Sequence, residues 1–312
     1  MFGVNYVNEN GIRKDIILPN FLIIGALKSG TNSLYHYIQF HPQVFMCPIK
    51  EPSFFAYEGQ KVTDTRWTRT SVITRFEDYL ALFEGAKGNI AIGEASPMYL
   101  VTPQAPGRIK HYIPEVRLIA ILRNPVDRAY SQWQMEIRNG TETINDFAKA
   151  LQVRKTMPDG TVRQRFVYGG KYYSLLKRYY DLFDSSQICV LLFDQLCSDP
   201  NGLLQKVYHF LNIDPTYVPS NLSERYNVGG VPSNRFWGVF FQNIYPYLAM
   251  GKTMIPSGIR ARVKMYSRGF RKQFLVKPPE LSTKLRSELM KLFKEDILNL
   301  QDLIHQDLSI WL

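Results

Sequence analysis

Four short apolar runs punctuate the chain: FLIIGAL at 21–27, IAIGEAS at 90–96, VRLIAILR at 116–123 and ICVLLFD at 188–194. Each is apolar without alternation and gives way to polar residues, the pattern of a strand buried on both faces. Between and after them, apolar positions fall at helical spacing over 33–40, 126–138, 172–183 and 201–211; in the last, Leu203, Leu204, Val207, Phe210 and Leu211 form one stripe. Leu285, Leu289, Leu292, Phe293, Leu300, Leu303 and Ile304 predict a long final helix. Strands alternating with helices predict an α/β fold, a mostly parallel central sheet flanked by helices on both faces. In such sheets ligands bind beyond the carboxyl ends of the strands, which singles out the loops at 28–32, 94–99 and 123–131.

Composition adds domain count and compartment. The chain has 312 residues, 45% of them hydrophobic, and no Ser/Gly/Pro-rich linker, so one elaborated domain over 1–312 is expected. Cys47, Cys189 and Cys197 lack the paired spacing of zinc or dithiol chemistry, and no His/Asp/Cys cluster has metal-ligand spacing, so no metal is expected. The first twenty residues lack the basic start, apolar stretch and cleavage site of a signal peptide. A reducing, cytoplasmic location is the expectation.

Charge changes the picture more. Lys and Arg number 38 against 27 Asp and Glu, a formal net charge of +11. Between Glu224 and Glu280 there is no acid, while ten bases, from Arg225 and Arg235 to Lys272 and Lys277, fall in that stretch; the remainder is nearly neutral. Within the stretch lies the apolar, aromatic FWGVFFQNIYPYLAM at 236–250. A helical lid with a solvated basic face is the favoured reading, and peripheral contact of 236–277 with an anionic membrane is the alternative. Nucleic acid is not expected as a partner, because no basic-aromatic interleaving or recognisable module is present.

Two loops carry candidate anion sites. Gly25-Ala26-Leu27-Lys28-Ser29-Gly30-Thr31 joins a strand to a helix, whose first N–H groups and dipole favour an anion. The lysine precedes the second glycine, unlike the Walker order, so ATP or GTP binding of that type is disfavoured. Taken alone, the turn is as well explained by a strand-to-helix connection with a surface lysine. In Arg123-Asn124-Pro125-Val126-Asp127-Arg128-Ala129-Tyr130-Ser131, Pro125 is placed to start a helix. Arg123 at the strand end and Ser131 two turns on supply a charged fork and a hydroxyl that suit one phosphate.

With these loops, the chain resembles the sulfotransferases that use 3′-phosphoadenosine 5′-phosphosulfate (PAPS). Lys28-Ser29-Gly30-Thr31-Asn32 is similar to their 5′-phosphosulfate loop, and Arg123-Asn124-Pro125 continuing to Ser131 to their 3′-phosphate motif. Further matches are His41-Pro42, Lys50-Glu51-Pro52-Ser53-Phe54-Phe55, Gly93-Glu94-Ala95-Ser96-Pro97-Met98-Tyr99, Gly170-Lys171-Tyr172 and Asp307-Leu308-Ser309-Ile310-Trp311-Leu312, in the family's order. The resemblance implies a P-loop-NTPase-like sulfotransferase fold, with a nucleotide-binding core at 20–235, a basic, aromatic lid or insertion at 236–278 and a C-terminal helix and tail at 279–312.

It further implies sulfuryl transfer from PAPS, with PAP as product, to a hydroxyl or amine of a carbohydrate, lipid or secondary metabolite. Glu51 becomes the candidate base and Lys28 the cation on the transferred group. Ser29, Gly30, Thr31, Asn32, Ser33, Arg123, Ser131, Tyr172 and Arg235 become nucleotide contacts. Glu51 lies beside apolar Phe54 and Phe55, which favour its neutral form, and beside Lys50, which opposes that. His36, His41, His111, His209 and His305 are read as structural. Ala56 and Ala95 stand where the glycosaminoglycan branch has an acid and a lysine, which argues against a heparan-like acceptor. The rival enzyme is a nucleotide-dependent phosphotransferase; the rival binding protein is a catalytically silent PAP-binding or membrane-associated adaptor.

Overall fold

The computed structural model describes residues 3–7, 13–61, 72–156, 161–222, 224, 231–232, 275–276 and 280–312. One five-stranded sheet holds β1 (Phe21–Gly25), β2 (Val44–Met46), β3 (Ala91–Ala95), β4 (Arg117–Leu122) and β5 (Ile188–Leu192). Their spatial order is β2-β3-β1-β4-β5, and every neighbouring pair is parallel. The first strand of the sheet is therefore central, with β3 on one side and β4 on the other.

The uninterrupted apolar runs have the cause expected of them. Phe21, Ile23, Ile119, Ile121 and Leu191 point to one face, where α1 (Thr31–Ile38) and α4 (Pro200–Leu211) bring Leu34, Ile38, Leu204, Val207 and Leu211. Leu22, Ile24, Leu118, Ala120, Leu122 and Val190 point to the other, covered by α2 (Pro125–Asn139), α3 (Tyr172–Tyr180) and α5 (Thr283–Ile304) through Val126, Leu176, Phe293 and Leu300. Each fully buried Leu or Ile contributes about 1.5–3 kcal/mol, so covering both faces is what stabilises the sheet.

Some boundaries differ from the sequence expectation. The first helix begins at Thr31, two residues before the apolar spacing starts, and the third stops at Tyr180 rather than 183. The run at 188–194 leaves the sheet after Leu192, the last residue paired with β4, and enters a short helix, Phe193–Ser198. The edge strand β2 was not expected, because three residues are too few to show a period.

Chain ends and caps set the helices around the sheet. Pro125 opens α2, the Asn124 side chain accepts from the N–H groups of Val126 (3.0 Å) and Asp127 (3.4 Å), and Gly140, at φ 76°, closes the helix. Such a cap contributes about 1 kcal/mol. From α5, the buried Asp296 carboxylate accepts from Tyr173 N (3.1 Å) and Ser174 Oγ (3.4 Å), capping the start of α3. Trp311 Nε1 donates to Asp194 at 3.0 Å, and Asn124 Nδ2 donates to the Trp311 carbonyl at 3.4 Å. The C-terminal helix and tail thus fasten elements that surround the strand ends.

Val231–Pro232 pairs antiparallel with Leu275–Val276, so the two ends of the acid-free stretch meet. Arg235 and, apart from Leu275 and Val276, the expected lid or insertion at 236–278 lie outside the described residues. Among the described residues, no helix is long and apolar enough to cross a membrane.

Candidate active site

Because β1 and β4 are neighbours, the loops leaving their carboxyl ends lie side by side. After β1 the backbone turns through two left-handed residues, Lys28 at φ 69° and Gly30 at φ 99°. A side chain at Gly30 would be strained by that φ, and its Cβ would come within 2.8 Å of Leu196 and 2.9 Å of Phe193. At Lys28 the same conformation costs about 1–2 kcal/mol, which the surrounding fold must offset.

The turn delivers the chain to the start of α1, which has no side-chain cap and no acid in its first turn. Its first helical bond runs from Leu34 N to Gly30 O, 3.0 Å. Thr31 is buried, and Asn32 and Ser33 are half-buried beside it. Ser29 Oγ is buried and makes no hydrogen bond of ordinary length, although the Tyr172 hydroxyl lies close enough to feel it. That hydroxyl donates to the Arg123 carbonyl at 2.9 Å. Tyr172 therefore ties the two loops together.

Arg123 leaves the end of β4 half-buried, its guanidinium 4.7 Å from the centre of the Phe193 ring. Ser131 is half-buried in the second turn of α2. Lys28 sits where several cations converge. Burial first, then the charges of Arg138, Arg123 and Lys50, push its ammonium down to about 8, while Glu51 acts in the opposite direction. A buried cation surrounded by cations is a place that favours an anion.

Glu51 lies across β1 from Arg123, in a bend hung on β3. Its carboxylate pairs with Lys50 at 2.8 Å, the two side chains being 34% and 24% exposed. Both Glu51 (φ 60°) and Ser53 (φ 56°) are left-handed. The next residues, Phe54 and Phe55, are fully buried. Phe54 stacks on Tyr79 at 4.7 Å and Phe55 meets Tyr99 edge-on at 5.5 Å. The two rings anchor the bend behind Glu51.

Lys28, Arg123, Lys50 and Glu51 come together at the strand ends. Two groups that the sequence reading did not single out join them. Arg138, whose charge bears on Lys28, stands seven residues after Ser131 on α2, and that same-face spacing was a usable signal. Glu94, an acid in the middle of an apolar strand, was quoted only as part of a match; it is fully buried beneath the Glu51 bend. The buried face of α2 also carries a polar ladder that sequence reading missed. Arg128 donates to Gln132 (2.7 Å) and to the Phe166 carbonyl, Gln132 donates to Glu136 (2.9 Å), and Arg165 pairs with Glu136.

A family model described as "Sulfotransferase domain" matches residues 18–226, which contain both loops and the Glu51 bend. The chain belongs to the sulfotransferase domain family. The crystal structure of a sulfotransferase from Alicyclobacillus acidocaldarius shares this sulfotransferase domain's fold, with a TM-score of 0.70 and 28% identity over 95% of this chain and 99% of that one. Over 306 residues, 95% of this chain and 31% of the relative, the domain is 26% identical to the bifunctional heparan sulfate N-deacetylase/N-sulfotransferase 4 of Mus musculus. It is 32% identical over 197 residues, 62% of this chain and 52% of the relative, to the heparan sulfate glucosamine 3-O-sulfotransferase 6 of Homo sapiens. The chain thus spans about a third of the first relative and about half of the second.

Proposed function

We propose that this sulfotransferase domain transfers the sulfuryl group of PAPS to a hydroxyl or amine of a carbohydrate, lipid or secondary metabolite. The observation that carries the reading is the convergence of Lys28 and Arg123, from adjacent strand ends, on a place faced by the Glu51 carboxylate. The residues present suit PAPS: the buried Ser29 Oγ without an ordinary partner, the uncapped start of α1 and the crowded Lys28 ammonium are each improved by an anionic guest.

When bound, PAPS supplies the activated sulfuryl group. In the proposed roles, the backbone N–H groups of 29–33 and the hydroxyls of Ser29, Thr31 and Ser33 hold the 5′-phosphate, with Gly30 and Asn32 shaping that loop. Arg123 and Ser131 hold the 3′-phosphate, Tyr172 orients Arg123 through its carbonyl, and Arg235 is an added contact. Lys28 would neutralise the charge left on the phosphate oxygen of PAP when its bond to sulfur breaks. Glu51 would accept the acceptor's proton, and its pair with Lys50 holds the carboxylate in place. The names of the relatives favour a glycan acceptor; Ala56 and Ala95 favour one other than heparan.

Calorimetry with PAP, ATP and GTP tests the donor site, with PAP expected to bind and ATP not. A metabolite extract supplied with ³⁵S-PAPS tests transfer, with labelled product expected from the wild type and little from Glu51→Gln. Preference for ATP, or full turnover by Glu51→Gln, overturns the corresponding part of the reading.

A further inference from the structure

The Glu51 bend places two L-residues in the left-handed region within three positions, so something must hold it. Its two N–H groups both go to the end of β3. Glu51 N donates to the Ala95 carbonyl at 3.1 Å, and Ser53 N donates to Ser96 Oγ at 3.0 Å. The second of these bonds depends on a side chain, and that side chain has been given a direction. Ser96 has one hydroxyl proton, and it goes to Glu94 Oε2 at 2.8 Å. The lone pairs of Ser96 are thereby left for Ser53 N.

The other oxygen of Glu94 organises the far side of the bend. Oε1 accepts from the hydroxyls of Tyr99 (2.5 Å) and Tyr79 (3.3 Å). These are the rings against which Phe55 and Phe54 pack, immediately after Ser53. Glu94 therefore joins the hydrogen-bonded front of the bend to its aromatic back. Among the described residues no lysine or arginine pairs with it, and all three of its partners are hydroxyls. Three donors call for a group that only accepts, which an ionised carboxylate does and an amide does in part. Burial moves this carboxyl up to about 7, so the network is close to the balance between the two forms.

From this juxtaposition we infer that Glu94 and Ser96 are positioning residues for the sulfuryl-transfer step: together they fix the Ser53 N–H and hence the direction in which the 51–53 bend presents Glu51. The inference rests on the proposal that Glu51 takes the acceptor's proton. Neither residue touches the reacting atoms, and both act through the backbone of the bend. A misplacement of about 1 Å in a reacting group lowers a rate by about 100-fold, so loosening the bend is expected to act on turnover rather than on donor binding.

The test uses PAPS itself, with water as acceptor, so no acceptor need be known. Water attacks sulfur, the bond to the PAP oxygen breaks, Glu51 takes the water proton, and ³⁵S-sulfate is counted. Ser96→Ala and Glu94→Leu are expected to lower kcat by about 10- to 100-fold, with KM for PAPS and Kd for PAP unchanged within about twofold and the Ser53 amide exchanging faster with deuterium. Glu94→Gln, which keeps an oxygen for Ser96, should restore most of what Glu94→Leu loses. Glu51→Gln runs alongside. If it keeps the full rate, the base reading has failed and the positioning role with it. If it loses the rate while Ser96→Ala keeps it, the positioning inference alone is overturned. A parallel loss of PAP affinity in Ser96→Ala, or equal losses in Glu94→Gln and Glu94→Leu, also overturns it. Should Ser96→Ala not fold, the contrast between Gln and Leu at position 94 decides.

Discussion

The mouth of the crevice and the layer beneath the Glu51 bend handle charge in opposite ways. At the mouth, where the loops after β1 and β4 meet the Glu51 bend, Lys28 and Arg123 gather with Arg138 and Lys50 around the Glu51 carboxylate, and burial with mutual repulsion brings Lys28 down to about 8. Beneath the bend, Glu94 is buried deeper, meets no cation among the described residues, and is answered by three hydroxyls as burial brings it up to about 7. The first side is electrostatically incomplete until an anion arrives. The second is complete in itself and holds its shape without a ligand. An incomplete site binds, and a self-satisfied one positions.

The largest expected effect breaks the comparison at its seam. Glu51→Gln and Lys28→Ala should each lower the rate of sulfuryl transfer by about 10²–10⁴-fold, read from label transfer under saturating PAPS. A mild effect of Lys28→Ala would mean that the gathered charge serves binding alone. Next comes Arg123→Ala, which removes a charged fork from the incomplete side. It should weaken PAP by about 10- to 100-fold, the equivalent of about 1.5–3 kcal/mol for a charge-assisted hydrogen bond, as measured by calorimetry, whereas Ser96→Ala should leave PAP affinity alone.

The self-satisfied side should show itself in stability. Burial holds Glu94 protonated above its ordinary 4.5, so between that pH and about 7 the folded protein keeps a proton that the unfolded chain has released. Its contribution is present at low pH and is lost as pH rises through 7. Glu94→Gln removes this dependence. The variant's melting temperature, relative to wild type, should therefore rise from pH 5 to pH 8, by an amount that reflects at most about 3 kcal/mol.

Lys28 carries the opposite sign. Between about 8 and 10.5 the unfolded chain holds a proton that the folded protein has released, so this group's contribution to stability increases with pH over that window. An anion beside it favours the charged form, so PAP binding at pH 8–9 should take up a fraction of a proton. Calorimetric enthalpy that varies with the buffer's ionisation enthalpy in the wild type, and not in Lys28→Met, checks this. The smallest effect is expected from Arg286→Ala, which breaks the half-exposed pair with Asp127 at 2.5 Å on the outside of α2. Its cost should be no more than about 1 kcal/mol in chemical denaturation.

Legibility followed distance along the chain. Strands β1, β3, β4 and β5 were visible because each is a near-continuous apolar run of five or six residues, whereas β2, with three, was not. The turn at Lys28–Thr31 and the helix start at Pro125 could be read because each is made by neighbours within one helical turn. Arg138 and the Arg128–Gln132–Glu136 ladder were within reach through helical spacing, but nothing local says which side of α2 faces the crevice and which faces the core.

Glu94 marks where sequence reading stops. Its role needs Tyr79, Ser96, Tyr99 and Ser53 at once, and these belong to three separate stretches of chain brought together at one strand end. By itself the sequence determined the α/β layers, the order of the strand-end loops and the residue types that suit phosphate and sulfuryl groups, because these depend on periodicity and short-range chemistry. Only the tertiary structure decided which cations share one field, which acid is exposed to a cation and which is buried among hydroxyls. Charge interaction and desolvation depend on distances through space, and a linear chain does not contain those distances until it folds.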